Sequence, residues 1–212
     1  MMDKNKRQQI IFNCLKRGFD IVFSCICILI LFPIMLVVSL LIWKEDRGSI
    51  LFIQERTGLN GVRFKIFKFR SMKEEIPEKT YMFNPIYGVP SDFIFKSEND
   101  EKEHITKIGA FIRKTSIDEL PQFFNVLKGD MSIVGPRPEI PEITCGYNKE
   151  QKMRLEKKAG ITGLAQVNGR SDLKNGDKMK YDLYYVKNQS IKLELEILWK
   201  TIRTILTTKG AI

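Results

Sequence analysis

Residues 19–43 read FDIVFSCICILILFPIMLVVSLLIW, and this apolar stretch dominates the architecture that the sequence predicts. From residue 21 to residue 43 there are 23 consecutive uncharged residues, close to the ~20 that a helix needs to cross a bilayer. Basic residues Lys16 and Arg17 precede the stretch, and the charged run KEDR follows it in place of a small-residue cleavage site. A secretory signal peptide is therefore a poor fit, and a membrane-embedded segment is expected.

Pro33 divides this stretch, and its missing N–H and its ring predict a kink or a break in the helix. The flanking halves, 21–32 and 34–43, hold 12 and 10 residues. At ~1.5 Å per residue, neither half alone crosses a hydrocarbon core of ~30 Å. Two architectures remain open from the residues alone: a kinked single span, which the frequency of proline in true spans favours, or a hairpin that enters and leaves by one face. The basic flank predicts a cytoplasmic N-terminus in either case.

Composition narrows the classes of protein further. The 212 residues are 43% hydrophobic and 28% charged, which excludes a disordered chain and a polytopic membrane protein. The net charge of +10 points to an anionic partner such as a phosphorylated substrate, an acidic lipid or nucleic acid. Four scattered cysteines indicate neither a disulfide scaffold nor a zinc site. With His104 as the single histidine, acid–base chemistry is expected to fall to carboxylates.

The remainder of the chain predicts a mixed α+β domain. Residues 50–70 alternate around a GLNG turn and predict a β-hairpin, and residues 76–103 predict an irregular loop. Further elements are predicted at 104–114 (a short helix or a strand-like lead-in), 119–128 (helix), 131–134 (strand), 149–158 (charged helix) and 191–207 (amphipathic helix). The last helix carries a stripe that is expected to face the core more often than a membrane, formed by Leu195, Leu198, Ile202, Ile205 and Leu206.

The first candidate for chemistry is SIDELPQ, residues 116–122, where the carboxylates of Asp118 and Glu119 precede Pro121. Ser116 and Glu119 have the spacing of a capping box, which would make both structural. Pro121 disfavours Ser116 as the N-cap, because the proline would then lie inside the helix. With Asp118 as the N-cap, Pro121 lies in the first turn, where proline is favoured. Asp118 is therefore predicted at a helix N-terminus, where its anion, or a phosphate, is stabilised. Spacing alone favours capping over catalysis.

The second candidate is GPRP, residues 135–138, in which two prolines restrain the backbone around Arg137. Such rigidity lowers the entropy cost of presenting a guanidinium to a phosphate, which it can grip with two hydrogen bonds. A surface turn is an equally good interpretation of the same four residues.

Two weaker signals remain. Residues 160–170, GITGLAQVNGR, suggest a glycine-rich loop that backs onto a ligand with Gln166 and Arg170, although they lack the P-loop pattern. In the predicted hairpin, Lys68 and Arg70 are cations that would ordinarily form its solvated face.

Taken together, these stretches resemble the bacterial sugar transferase family, small monotopic phosphoglycosyl transferases that use a polyprenol phosphate acceptor. The matching segments are KRGFD at 16–20, the apolar stretch with Pro33, FIQERTGLNGVRFKIFKFRSM at 52–72, ITKIGAFIRKTSIDELPQFFNVLKGDMSIVGPRP at 105–138 and GITGLAQVNGR at 160–170. The block from 105 to 138 is the most specific of them.

The resemblance implies an activity and roles for individual residues. A phosphosugar would move from a UDP-sugar to undecaprenyl phosphate, releasing UMP, in the first membrane step of surface polysaccharide or glycoconjugate synthesis. Asp118 would be the nucleophile that forms a covalent phosphosugar intermediate, Glu119 the second member of the dyad, and Mg²⁺ would bind near Asp118. Arg113 and Arg137 match basic positions that neutralise phosphate charge. Further substrate-binding or phosphate-binding residues are expected at Lys68, Arg70, Gln166 and Arg170.

The resemblance also implies a topology. Nucleotide sugars are cytosolic, so residues 46–212 would form a catalytic domain on the cytosolic face of the bacterial cytoplasmic membrane. Residues 1–45 would form the basic N-terminus and a re-entrant helix-hairpin broken at Pro33, with amphipathic interfacial helices beside it. Anionic lipids are expected partners and nucleic acid is not, while the sugar and the oligomeric state stay open. The alternative from another class is a non-enzymatic, membrane-tethered basic module that binds anionic lipid or nucleic acid.

Overall fold

The computed structural model describes residues 4–73, 83–94, 104–169 and 173–207, which fold as a mixed α+β chain behind one long apolar N-terminal helix. The helices are α1 (Lys4–Asp46), α2 (Lys107–Lys114), α3 (Gln122–Lys128), α4 (Pro141–Thr144), α5 (Lys149–Lys152), α6 (Leu164–Gly169), α7 (Asn175–Asn188) and α8 (Ile191–Thr207). The strands are β1 (Leu51–Thr57), β2 (Arg63–Phe69), β3 (Met131–Val134) and β4 (Ala159–Thr162). Short 3₁₀ turns cover Leu59–Gly61, Ile117–Glu119 and Met153–Glu156.

The predicted hairpin is confirmed as the antiparallel pair β1–β2, whose register places Phe52 opposite Lys68 and Arg56 opposite Phe64. Directly opposed residues share one face of a two-stranded sheet, so Arg56 and Lys68 lie on the same face. Asn60 (φ 54°) and Gly61 (φ 81°) adopt left-handed conformations in the turn, as the GLNG sequence leads one to expect. The predicted loop at 76–103 lies largely outside the described residues.

The main core surrounds a second, parallel pair, β3 and β4. All four residues of β3 are buried, as a short strand covered on both faces requires. Val126, Tyr185 and Ile197 bring α3, α7 and α8 onto this pair. Ile66 of β2 belongs to the same buried cluster. This core therefore holds together the β1–β2 hairpin, helix α3 and the C-terminal helices α7 and α8.

Residues 160–169 do not form the predicted ligand-facing loop, because they belong to β4 and then to α6. Their glycines serve close packing: Gly135 donates its N–H to the Thr162 carbonyl at 2.9 Å, and Gly160 donates to the Pro136 carbonyl at 2.9 Å. A Cβ on Gly160 would overlap the Gly135 nitrogen. These glycines therefore allow the backbone of β4 to pack directly against the backbone of the GPRP sequence. The sequence alone does not distinguish this role from ligand binding.

Helix α1 contacts the rest of the chain on both sides of its apolar middle. Near its N-terminal end, Arg17 donates to the carbonyls of Val126 and Leu127 at 2.6 and 2.9 Å, and Asp20 accepts from the Ile133 N–H at 3.1 Å. Towards its C-terminal end, Met35, Val38 and Ile42 pack in one buried cluster with Phe69 and Ile112. Glu45 then accepts from the N–H groups of Lys107 and Ile108, which begin α2.

Between these two contact regions the helix is exposed, with Leu29 at 78% and Ile30 at 67% of their accessible surface. By length and composition, residues 7–46 form a helix that could cross a membrane. The helix is continuous through Pro33 in its secondary structure, so the predicted break is not an interruption of the α-helix. The contacts of the two ends of α1, and not a break at Pro33, are therefore what bears on a re-entrant path.

The predicted helix over 191–207 is confirmed, but the side of it that faces the core is not the predicted stripe. The buried side consists of Leu193 and Ile197. Leu198 packs partly against the core, whereas the exposed apolar residues are Ile191, Leu195, Trp199, Ile202 and Ile205. Apolar residues cover two sides of α8, so periodicity alone could not tell which side packs inward.

Candidate active site

The Asp118–Glu119 pair lies in the 3₁₀ turn between α2 and α3. Ser116 precedes it in a left-handed conformation (φ 58°, ψ 18°) and makes no capping hydrogen bond, so the capping box is wrong. Pro121 is the N-cap of α3, so Asp118 precedes the helix instead of capping it. A non-glycine residue with positive φ beside reactive groups is a strained arrangement that proteins keep at functional sites.

Glu119 is bound by two cations through one carboxylate oxygen. Its Oε1 lies 3.0 Å from Lys68 Nζ and 3.0 Å from a terminal nitrogen of Arg137. Burial by itself would raise the pKa of this carboxyl, but Lys68 and Arg137 outweigh it and lower the pKa to about 2. Glu119 is consequently an anion throughout the functional pH range.

Asp118 has the opposite surroundings. Among the described residues it makes no direct hydrogen bond or ion pair, and its side chain is half-buried. Burial, and next the negative charge of Glu119, raise the pKa of Asp118 to about 6, against the opposing pull of Lys68, Arg137 and Arg113. A raised pKa and the lack of a direct partner make Asp118 the candidate for a reactive group, and the separation of the two pKa values indicates that the two carboxyls differ in role.

Three of the predicted cations converge on this pair. Lys68 is carried by β2, and burial lowers its pKa although Glu119 favours its charged form. Arg137 follows β3 and keeps 41% of its side chain exposed, so it can meet a solvent-borne ligand while bound to Glu119. Arg113, in the last turn of α2, donates to the Met72 sulfur at 3.1 Å and acts electrostatically on Asp118.

Arg56 is a neighbour of the site that the sequence reasoning missed. It donates to the Gln54 side chain at 2.6 Å and weakly to the Pro138 carbonyl at 3.4 Å. Burial lowers its pKa, and Glu139, Arg137 and Glu119 are among the charges that act on it. The hairpin register was the available signal, because it puts Arg56 on the face of Lys68.

The other predicted residues are placed differently. Arg70 pairs with Asp46 and so ties the end of β2 to the end of α1. Gln166 lies in α6 with both amide atoms buried and unpartnered within the described part of the chain. Pro33 lies in the exposed middle of α1, and Arg170 lies outside the described residues.

The residues at the site fit a sparsely coordinated Mg²⁺. Across the described ranges, no group of three or more His, Cys, Asp or Glu side chains is gathered to hold a metal. Mg²⁺ is commonly held by one or two carboxylates together with substrate phosphates and water, which is a smaller demand on the protein. Asp118 is the carboxylate without a direct partner here, whereas one oxygen of Glu119 is bound by Lys68 and Arg137.

Comparison with known proteins gives a consistent result. The family model described as "Bacterial sugar transferase" matches residues 11–208. An undecaprenyl-phosphate galactose phosphotransferase of Salmonella typhimurium is 40% identical over 93% of this chain and 41% of its own length. The galactosyl transferase CpsE of Streptococcus agalactiae is 45% identical over 79% of this chain and 37% of its own length. The exopolysaccharide production protein ExoY of Rhizobium meliloti is 35% identical over 92% of this chain and 87% of its own length.

The chain thus spans about two fifths of the length of the first two of these relatives and most of the third. The matched region includes both the apolar stretch 19–43 and the Asp118–Glu119 site. The chain belongs to the bacterial sugar transferase family.

Proposed function

We propose that this protein transfers a phosphosugar from a UDP-sugar to undecaprenyl phosphate and releases UMP, with Asp118 as a covalent nucleophile. The observation that carries the proposal is the Asp118 carboxylate, which has no direct partner in the described structure and stands beside three cations. The names of relatives, among them a UDP-N-acetylgalactosamine-undecaprenyl-phosphate N-acetylgalactosaminephosphotransferase of Aeromonas hydrophila, support the same donor and acceptor classes.

In the first step, an Asp118 oxygen attacks the β-phosphorus of the UDP-sugar. A bond forms between that oxygen and phosphorus, the anhydride bond to the bridging oxygen breaks, and UMP leaves with the electron pair. A carboxylate can act this way without a histidine, which suits a chain with a single one. The result is an aspartyl phosphosugar on the enzyme.

In the second step, an oxygen of undecaprenyl phosphate attacks the phosphorus of that intermediate. The acyl phosphate bond breaks, the diphosphate-linked lipid forms, and the Asp118 carboxylate is regenerated without a net change in protons. Arg137 and Lys68 offset the charge that develops on the phosphoryl oxygens, and Glu119 holds both cations in place.

Mg²⁺ is proposed as the cofactor, held by Asp118 and the substrate diphosphate. When bound, it would spread the charge of the diphosphate and favour departure of UMP. Arg137, Lys68 and Arg113 supply the remaining positive charge around Asp118.

The membrane topology is proposed to be monotopic, with both flanks of the apolar stretch on the cytosolic face. The support is geometric: Asp20 and Met35 of α1 both contact the domain, and they are 15 residues apart, which is roughly 22 Å of helix. A full span of ~30 Å would carry Met35 and Val38 away from Phe69 and Ile112, with which they pack. The exposed middle of α1 around Leu29 would then enter one leaflet only.

The exposed apolar side of α8 is proposed to lie in the membrane interface. Trp199 is 69% exposed, and Trp is favoured at the level of the lipid head groups. Burial of this stripe in lipid would remove an apolar surface that water disfavours, while the +10 net charge attracts anionic lipid.

The decisive experiment uses the purified full chain in nanodiscs with Mg²⁺ and a panel of UDP-sugars, beginning with UDP-galactose and UDP-N-acetylgalactosamine. A productive UDP-sugar alone should leave one phosphosugar on each protein molecule, detected by intact mass, with one UMP released. Addition of undecaprenyl phosphate should remove the adduct and start turnover. Release of UDP would indicate transfer of a bare sugar, and salt-sensitive nucleic-acid binding without UMP release would favour the non-enzymatic alternative.

A further inference from the structure

A buried cluster of four ionised side chains lies behind Arg137 and is not used by the proposed chemistry. Arg154, Asp182, Glu139 and Lys178 are all buried. Lys178 donates to Glu139 at 3.0 Å, and Arg154 donates to Asp182 at 2.7 Å. Two positive and two negative charges thus balance inside the domain.

The Arg154 guanidinium uses its three nitrogens for four partners. Its Nε donates to Asp182 Oδ2 at 2.7 Å, and its Nη1 donates to the Tyr147 hydroxyl at 2.6 Å. Its Nη2 donates to the main-chain carbonyl of Arg137 at 2.7 Å and, more weakly, to Glu139 at 3.4 Å. One rigid planar group therefore links α7 and the segment after α4 to the backbone of the phosphate-binding arginine.

Glu139 holds the other side of the same backbone. Its carboxylate accepts from Lys178, and its main-chain carbonyl accepts from the Thr57 N–H at 2.9 Å. Burial alone would raise the pKa of Glu139, but Lys178 and Arg154 hold it at about 2, so this partner stays ionised. The segment 137–139 is consequently tied to β1 and to α7 by directed bonds.

Stability alone is a weak reason to keep such a cluster. Buried ions are costly to desolvate, and well-packed apolar residues of similar volume often stabilise a domain as well or better. What a fork of directed hydrogen bonds adds is a fixed position for the group it holds. That group is the carbonyl of the residue whose side chain reaches Glu119 at 3.0 Å.

We propose that Arg154 is a positioning residue that fixes the Arg137 main chain, and thereby aims the Arg137 guanidinium at Glu119 and the substrate diphosphate. The proposal rests on the proposed transferase function. Arg154 is too deeply buried to touch substrate, with 2% of its side chain exposed. The cavity between Arg154 and Arg137 is about 10 Å³, which is room for one water at most and not for part of a ligand.

Arg154→Lys and Tyr147→Phe form a matched pair for the test. Lysine keeps the charge but has one nitrogen in place of three, so it cannot reach Asp182, Tyr147 and the Arg137 carbonyl from their separate directions. Tyr147→Phe removes one bond of the same fork and leaves the Arg137 carbonyl bound. Both variants should lower the unfolding temperature in nanodiscs. Arg154→Lys should reduce kcat roughly tenfold or more, with KM for the UDP-sugar changed less than ~3-fold, while Tyr147→Phe stays near the wild-type kcat.

A double-mutant cycle with Arg137→Lys separates positioning from general damage. If Arg154 acts through Arg137, then Arg154→Lys should cost less than ~2-fold in the Arg137→Lys background. A full tenfold loss in that background, or a normal kcat for Arg154→Lys, would overturn the proposal. These two contradicting results can be seen only if the wild-type protein is active. Failure of the proposed function looks different, because the wild-type protein itself would then release no UMP.

Asp182→Asn serves if Arg154→Lys does not fold. The amide oxygen can still accept from Arg154 Nε, but the ion pair is lost, so Arg154 is held less firmly. We expect a two- to fivefold loss of kcat, on the order expected for a loosened hydrogen-bonded group, that disappears in the Arg137→Lys background. Persistence of the loss there would again contradict the proposal.

Discussion

Glu119 bonds directly to two cations, whereas Asp118, its neighbour in the chain, bonds directly to none within the described residues. One peptide step thus separates a carboxyl with a pKa of about 2 from one with a pKa of about 6. The difference indicates separate roles: Glu119 stays ionised and holds two cations, whereas Asp118 has no direct partner that would compete with a substrate.

The pH dependence of kcat/KM should show an acidic limb near pH 6. Asp118 must be ionised to attack phosphorus, and its pKa in the free enzyme is raised to about 6. Activity should therefore fall roughly tenfold for each pH unit below that value. UMP release measured between pH 4.5 and 8 checks this, and a flat profile down to pH 4.5 would contradict Asp118 as the titrating nucleophile.

Asp118→Asn should abolish the phosphosugar adduct yet stabilise the fold at neutral pH. The raised pKa means that the folded state disfavours the ionised carboxyl, so Asp118 costs stability as the pH rises through about 6 and costs none below about 4. Removing the charge should raise the free energy of unfolding by about 1 to 2 kcal/mol at pH 7.5. Differential scanning fluorimetry at pH 7.5 and pH 4 measures this, and the gain should vanish at the lower pH.

Glu119→Gln is the matched control for that stability gain. The pKa of Glu119 is lowered, so its ionised form stabilises the fold above its ordinary pKa, and the substitution should lower the unfolding temperature at pH 7.5. It also leaves Lys68 and Arg137 without their shared anion. At pH 7.5, Asp118→Asn should therefore raise the unfolding temperature and Glu119→Gln should lower it. Shifts of the same sign would refute the separation of the two pKa values.

Arg137→Lys should lose most activity although the charge is kept. A lysine ammonium cannot bind a phosphate at two points in a plane while remaining on Glu119. We expect kcat to fall on the order of 100-fold with a near-normal unfolding temperature. Near-normal turnover would reduce the GPRP sequence to a structural turn.

Cysteine labelling can test the monotopic topology. In a background without the four natural cysteines, Asn5→Cys and Val62→Cys should react with a membrane-impermeant maleimide from the same side of the membrane. Val62 suits a cysteine probe because it is 67% exposed and has an extended backbone. Asn60 in the same turn suits it less, because its left-handed conformation disfavours other side chains. Leu29→Cys, exposed in the protein but placed in lipid by the proposal, should resist the reagent. Labelling of positions 5 and 62 from opposite sides would exclude the hairpin.

Fluorescence can test the membrane position of α8. Trp43 and Trp199 are the two tryptophans, so Trp43→Phe isolates Trp199. Its emission should be quenched by lipids brominated near the head group, because the exposed side of α8 would lie at that depth. Quenching by aqueous iodide to the same extent as for free tryptophan would place α8 in water.

The sequence by itself determined the elements whose signals are local. The length of the apolar stretch, the alternation around GLNG and the adjacency of Asp118 and Glu119 can be recognised without any partner in space. They predicted the apolar part of α1, the β1–β2 hairpin and the carboxylate pair that forms the candidate site. The register of the hairpin, which puts Arg56 and Lys68 on one face, was not predicted from the sequence and comes from the structure. The motifs from 105 to 138 also sufficed to point to the family.

Only the tertiary structure decided which groups meet across the chain. Lys68 and Glu119 are 51 residues apart, and Arg154 and Asp182 are 28 apart, so no local pattern could pair them. The exposed side of α8 could not be chosen either, since both of its sides are apolar and only packing against β3 selects Leu193 and Ile197. Burial and nearby charge then divide the pKa values of Asp118 and Glu119, because desolvation and Coulomb terms depend on distances in space and not on position in the sequence.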